Sequence, residues 1–186
     1  MSLLLPPRVS HYSKDGAIQD AGWGCVYRCL QMLLSVLQDD VPTMEQLLRF
    51  FACWDDYRRG VRGEELWLEP PDAARYLREV HGIPAVEWLY LPGSDRGMRV
   101  APAYYGKDRI VRTWRAMQQK LRQHMAATDC PLILDDGTSA YVLVRATRAE
   151  VHLLDPHVFD ARRAARIVSW AWLARAPLWM VCSIVR

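Results

Sequence analysis

The hydrophobic and polar positions show helical spacing in the first two thirds of the chain and alternation in the last. Val26 to Leu37 is apolar nearly all the way round and predicts a buried helix. Gly22 and Gly24 just before it predict a turn. Thr43-Met44-Glu45-Gln46 reads as a capping box opening a helix to about Cys53, and Asp55 to Gly63 is polar and turn-like. Pro70-Pro71-Asp72 opens another helix, which runs to about His81 and stops at Gly82. Val86 to Tyr90 alternates like a strand, and 92–107 reads as a long loop. Ile110, Val111, Trp114, Met117, Leu121 and Met125 recur at helical spacing and predict an amphipathic helix from about Asp108 to Met125.

Beyond this point the period shortens. Pro131 to Leu134, Tyr141 to Val144 and Val151 to Leu154 read as strands, with a turn at Asp135 to Thr138 and a second near Thr147 to Ala149. Ala161 to about Trp172 reads as helical, and Trp179 to Val185 as a final strand. Helices first and strands later predict an α+β fold with an antiparallel sheet, as one domain over 1–186 whose first ten or so residues are irregular.

Composition narrows the function classes. The chain is 51% hydrophobic and 24% charged, as in an ordinary globular protein, with a net charge of +3. Its basic residues are nearly all arginine, mixed with acids rather than gathered into a block, which gives little support to nucleic-acid binding. Arg162, Arg163 and Arg166 read as one solvated helix face. No apolar run approaches the roughly 18 residues of a membrane helix, so no membrane span is expected. The five cysteines are odd in number, and no CxxC or secretory signal accompanies them, which points to a reducing, cytoplasmic or nuclear setting. Cysteines and histidines lack paired ligand spacing, so neither a metal nor a cofactor is expected.

One cysteine stands apart. Cys25 follows the glycine turn at the start of the first helix, where free N–H groups and the helix dipole favour thiolate over thiol and can hold an oxyanion. A cysteine nucleophile needs a base, and the base an orienting group. His157, in Leu153-Leu154-Asp155-Pro156-His157 directly after a strand, offers both: residues two apart in extended chain project to one side, setting Asp155 beside the imidazole. Cys29, Cys53 and Cys182 read as packing residues in apolar surroundings. His81 and His124 read as surface residues, and His152 as a strand-face residue.

The segment Gly22-Trp23-Gly24-Cys25-Val26-Tyr27-Arg28-Cys29-Leu30-Gln31 resembles the nucleophile motif of the ubiquitin-fold modifier-specific proteases, papain-like cysteine peptidases of family C78. Asp155-Pro156-His157 resembles that family's Asp-Pro-His motif, and His11-Tyr12 its upstream His-Tyr. Gly63 to Leu68 resembles its tryptophan segment, and Ser139-Ala140-Tyr141 falls where the family has Ala-His-Thr. The resemblance implies a papain-like fold, its first helix carrying the nucleophile against an antiparallel sheet. It assigns Cys25 as nucleophile, His157 as base, Asp155 as orienter and Tyr12 as oxyanion donor. Trp23, Trp67, Ser139 and Tyr141 become candidate contacts for the substrate tail, the two tryptophans being equally readable as core packing. With the motif so near the start, the expectation is the short form of the family. Two departures stand out: the gap from Tyr12 to Cys25 is one residue longer, and Asp135-Asp136-Gly137-Thr138 replaces a glycine-rich loop.

The implied partner is ubiquitin-fold modifier 1, as precursor and as conjugate, cleaved after its C-terminal glycine by a monomer. The autophagy proteases share Gly-Trp-Gly-Cys and Asp-Pro-His, so an enzyme acting on a different ubiquitin-like modifier is the nearest alternative. A modifier-binding module without turnover is another.

Overall fold

The structure, a computed structural model, describes residues 10–12, 18–37, 40–53, 67–93, 105 and 107–185. The polar stretch 55–63 lies outside the described residues, as does most of the 92–107 loop. Helix α1 spans Cys25–Leu37, α2 Met44–Phe51 and α3 Pro70–His81. Strand β1, Ala85–Tyr90, follows, then β2, Ile110–Val111, and α4, Trp114–Thr128. The remainder is β3 Leu132–Asp135, β4 Ala140–Ala146, β5 Glu150–Leu154, β6 Ala165–Ser169, the short helix α5 Trp170–Leu173, and β7 Trp179–Ile184.

The strands form one sheet in the order β2-β1-β7-β3-β4-β5-β6. Its pairs are antiparallel except β1 with β2. Alternation along β3 sends Ile133 to one face, with α1, α2 and α3, and Leu132 and Leu134 to the other, with α4 and α5. The α+β expectation is met, in three layers.

Helix α1 is the centre of its layer. Its buried residues run from Cys25 to Val36 with Arg28 alone excepted, as its all-round apolar pattern requires. The Thr43 capping box is present: Thr43 Oγ1 accepts from Gln46 N–H and Gln46 Oε1 accepts from Thr43 N–H. Gly82, at φ 63°, ends α3 in the left-handed cap that glycine favours.

Two predicted helices are corrected. The expected helix from Asp108 starts later, because Ile110 and Val111 pair with Leu89 and Tyr90 at the sheet edge and Thr113 caps α4 through Ala116 N–H. The expected helix from Ala161 to Trp172 is a 3₁₀ turn at Ala161–Arg163, strand β6, and then α5. The β-branched Ile167 and Val168 pair with His152 and Val151, so tertiary pairing overrides local helical spacing. The arginines there form no single helix face: Arg162 bonds Asp160 and Arg166 reaches Asp155.

Candidate active site

The nucleophile candidate is set by a tight device in front of α1. Gly22 has φ +95°, in the region that glycine favours. Gly24 donates its N–H to Asp20 O at 2.8 Å, and a Cβ on it would lie 2.7 Å from Asp20 Oδ2. Asp20 is fully buried and takes Arg28 Nε–H at 2.6 Å, so the turn is bolted to the helix it opens. Arg28 N–H in turn donates to Gly24 O. Cys25 thus begins α1 and is 2% exposed. One helical turn on, Cys29 is fully buried, and burial, with the negative charges of Cys25, Asp135 and Asp155, pushes its thiol well above the usual range. Cys182 is likewise pushed up to about 12, chiefly by burial. Both suit packing rather than reaction.

The base candidate comes from the loop after β5. Asp155 N–H donates to Ala164 O at 2.8 Å, which anchors the loop. Asp155 Oδ1 accepts from His157 Nδ1–H at 2.7 Å and from His157 N–H at 2.9 Å. Its Oδ2 accepts from Arg166 Nη1–H at 2.7 Å. Burial works against the imidazolium, but the Asp155 bond and the Cys25 sulfur outweigh it and raise His157 to about 9. Burial also works against the Asp155 carboxylate, yet bonds from His157 and Arg166 hold it down at about 2. With Nδ1 engaged by a carboxylate, Nε2 is the nitrogen left for the sulfur. It is buried and makes no bond of ordinary geometry among the described residues; catalytic hydrogen bonds commonly tighten only in the reacting complex.

Tyr12 joins the two halves. Its N–H donates to Pro156 O at 3.0 Å, and its ring meets the imidazole edge-on with centroids 5.4 Å apart. Its hydroxyl lies against the Cys25 sulfur and accepts from Gly22 N–H. Burial first, and the Cys25 charge next, push that hydroxyl far above its ordinary pKa, so it stays a proton donor. Tyr12, Cys25, Asp155 and His157 therefore meet at one place. Such a set can perform nucleophilic acyl transfer with an oriented base.

Known proteins resemble this chain along most of its length. The model of Peptidase family C78 matches residues 2–175. The chain belongs to peptidase family C78. Among the family's named proteins, "Ufm1-specific protease 2" of Gallus gallus is 21% identical over 176 residues, covering 88% of this chain and 34% of that protein. "Ufm1-specific protease 1" of Mus musculus is 27% identical over 176 residues, covering 86% of this chain and 72% of that protein. The crystal structure of UfSP from C. elegans superposes with a TM-score of 0.66 at 14% identity, over 98% of this chain and 34% of that one. That likeness gives this C78 chain the papain-like fold. The chain spans about a third of the length of the Gallus gallus protein.

The remaining sequence candidates differ in their surroundings. Tyr141 is buried, with its ring 5.3 Å from that of His157. Ser139 lies in the β3–β4 turn, where its N–H donates to Asp136 Oδ1. Trp23 is half-buried on Tyr27, its Nε1–H donating to Gln19 O. Trp67 is exposed, so the core-packing reading does not hold for it.

Other sequence assignments need correction. Cys53 is exposed at the end of α2, its Sγ–H donating to Arg49 O. His81 and His124 are half-buried rather than on the surface, and desolvation lowers the pKa of both. Two residues near the site carry no role in the sequence reading. Arg166 bonds Asp155, and its guanidinium carbon lies 5.3 Å from the Trp172 ring centroid. Asp135 is 1% exposed at the end of β3, and its Oδ2 has no hydrogen-bond partner among the described residues. Asp135 and Asp136 were legible only as a turn, and Arg166 only as part of a charged run.

Among the described residues, no group of three or more His, Cys, Asp or Glu is arranged to hold a metal ion. No described helix is long and apolar enough to cross a membrane.

Proposed function

We propose that this chain is a thiol protease that cleaves after the C-terminal glycine of a ubiquitin-like modifier, ubiquitin-fold modifier 1, in its precursor, its conjugates, or both. The observation that carries the reading is the meeting of the Cys25 sulfur, the Asp155-oriented imidazole of His157 and the Tyr12 hydroxyl at the start of α1. The names of the C78 relatives supply the substrate class.

In this reading the Cys25 thiolate adds to the glycine carbonyl carbon, and the oxyanion is received by the Cys25 N–H and the Tyr12 hydroxyl. The C–N bond breaks as His157 gives its proton to the leaving amine. Water, deprotonated by His157, then attacks the thioester, and Cys25 leaves as thiolate. Asp155 holds the imidazole through Nδ1 during both steps. Trp23, Trp67, Ser139 and Tyr141 are the candidate contacts for a thin modifier tail. The five cysteines are all free thiols, which suits a reducing cytoplasmic or nuclear setting, and the enzyme acts as a monomer in this reading.

The deciding experiment offers the purified chain a panel of ubiquitin-like modifiers ending in a thiol-reactive electrophile. A covalent adduct with ubiquitin-fold modifier 1, mapped to Cys25 and lost in Cys25→Ala, is the expected result. An adduct with a different modifier alone would favour the autophagy-type reading. Modifier binding with no adduct would make the chain a binding module.

A further inference from the structure

The Asp155 carboxylate has two faces and two partners. Oδ1 accepts both bonds from His157, and Oδ2 accepts from Arg166 at 2.7 Å. Arg166 comes from β6, the outermost strand of the sheet, in register opposite Leu153 of β5. An exposed ion pair adds little to a protein, but this one is different in kind. The Asp155 side chain is only 8% exposed, and the guanidinium stands over the Trp172 ring at 5.3 Å. Trp172 meets Tyr141 edge-on at 5.6 Å, and Tyr141 meets His157 at 5.3 Å. Asp155, Arg166, Trp172, Tyr141 and His157 thus close into a ring of contacts in which each member limits the next.

We propose that Arg166 is a positioning residue of the catalytic triad: seated on Trp172, it fixes the second oxygen of Asp155 so that the first stays aimed at the imidazole. The inference rests on the protease reading above. Arg166 does not touch substrate and acts through Asp155.

Its charge also matters. Arg166 and the imidazolium compete for the same carboxylate. With Arg166 neutralised, the cation bonded to that carboxylate would be gone and its full negative charge would face the imidazolium, so His157 would keep its proton to higher pH even as the aim of Oδ1 loosens. A base that holds its proton too well is a poorer acid toward the leaving amine. The other groups around the triad stay in place in this comparison: Tyr12 from the N-terminal segment, Cys25 and Cys29 from α1, Asp135 from β3 and Tyr141 from β4.

The test measures two things in the intact chain and in Arg166→Gln and Arg166→Lys. One is the rate of iodoacetamide labelling at Cys25 from pH 4 to 10, by peptide mass. The other is kcat and KM on modifier with a C-terminal reporter. Arg166→Gln is expected to lower kcat about ten-fold with KM within about two-fold. Its alkaline step in the labelling profile should move up by about half a pH unit. Arg166→Lys, keeping the charge, should bring the step back. A superimposable labelling profile, or a loss confined to KM, overturns the proposal. Should Arg166→Gln not fold, Trp172→Phe is expected to lower kcat in the same direction by about two- to three-fold, and an unchanged kcat there overturns it equally. Slow labelling at Cys25 in the unaltered chain would instead overturn the protease reading itself.

Discussion

The Asp20 carboxylate occupies the space that a side chain on Gly24 would need: a Cβ there would lie 2.6 Å from Asp20 Cβ and 2.7 Å from Oδ2. Asp20 cannot yield freely, being buried and bonded to Arg28. Gly24→Ala is therefore expected to cost about 1–3 kcal/mol through overpacking. At this chain length that is a Tm lower by roughly 2–10 °C in a thermal melt. Because the strain falls at the residue just before α1, Cys25 labelling should slow as well.

Removing the Tyr12 hydroxyl separates two roles of one residue. Tyr12→Phe keeps the backbone bond to Pro156 and the ring contact with His157. It loses the hydroxyl against the sulfur and, with it, the bond from Gly22 N–H. Turnover of a modifier reporter should fall by about 10²-fold with KM nearly constant, since an oxyanion donor acts in the transition state. Steady-state kinetics of the variant decide it, and unchanged turnover would remove the role.

The pH dependence follows from two opposite shifts. His157, raised to about 9, stays an imidazolium through neutral pH. Its contribution to stability is fully present below the ordinary histidine value and is lost as pH rises through about 9. Asp155, held at about 2, contributes above the ordinary carboxylate value and is lost as pH falls toward about 2. Turnover should accordingly decline above about pH 9 as the imidazole loses its proton. His157→Ala should abolish that alkaline limb together with nearly all activity, read from a pH–rate profile of both proteins.

Asp135 carries the reverse sign for a carboxyl. Burial, tempered by the Gly137 N–H bond, raises it to about 7. The folded state then prefers the neutral acid, and stability declines as pH rises from the ordinary carboxylate value through about 7. Asp135→Asn should raise Tm by roughly 5 °C at pH 8 and change it little at pH 4. Thermal melts at the two pH values check the sign.

Much of this arrangement was legible in the sequence, for reasons that differ by residue. Cys25 announces itself because a glycine pair, a cysteine and an apolar run together leave little choice but a turn feeding a buried helix. Asp155 and His157 are readable because their geometry is local: two residues apart in extended chain, they make their bond without help from the fold. Arg166 was not readable, since its bond to Asp155 exists only once β6 is laid beside β5. The same pairing turned a helical-looking stretch into strand. Cys53 misled for the opposite reason, its apolar neighbours turning inward while it faces out.

The bond from Tyr12 N–H to Pro156 O ties the front of the chain to the loop that carries the base. A pull on the chain at residue 12 would therefore be felt through this one bond by the loop that holds the imidazole.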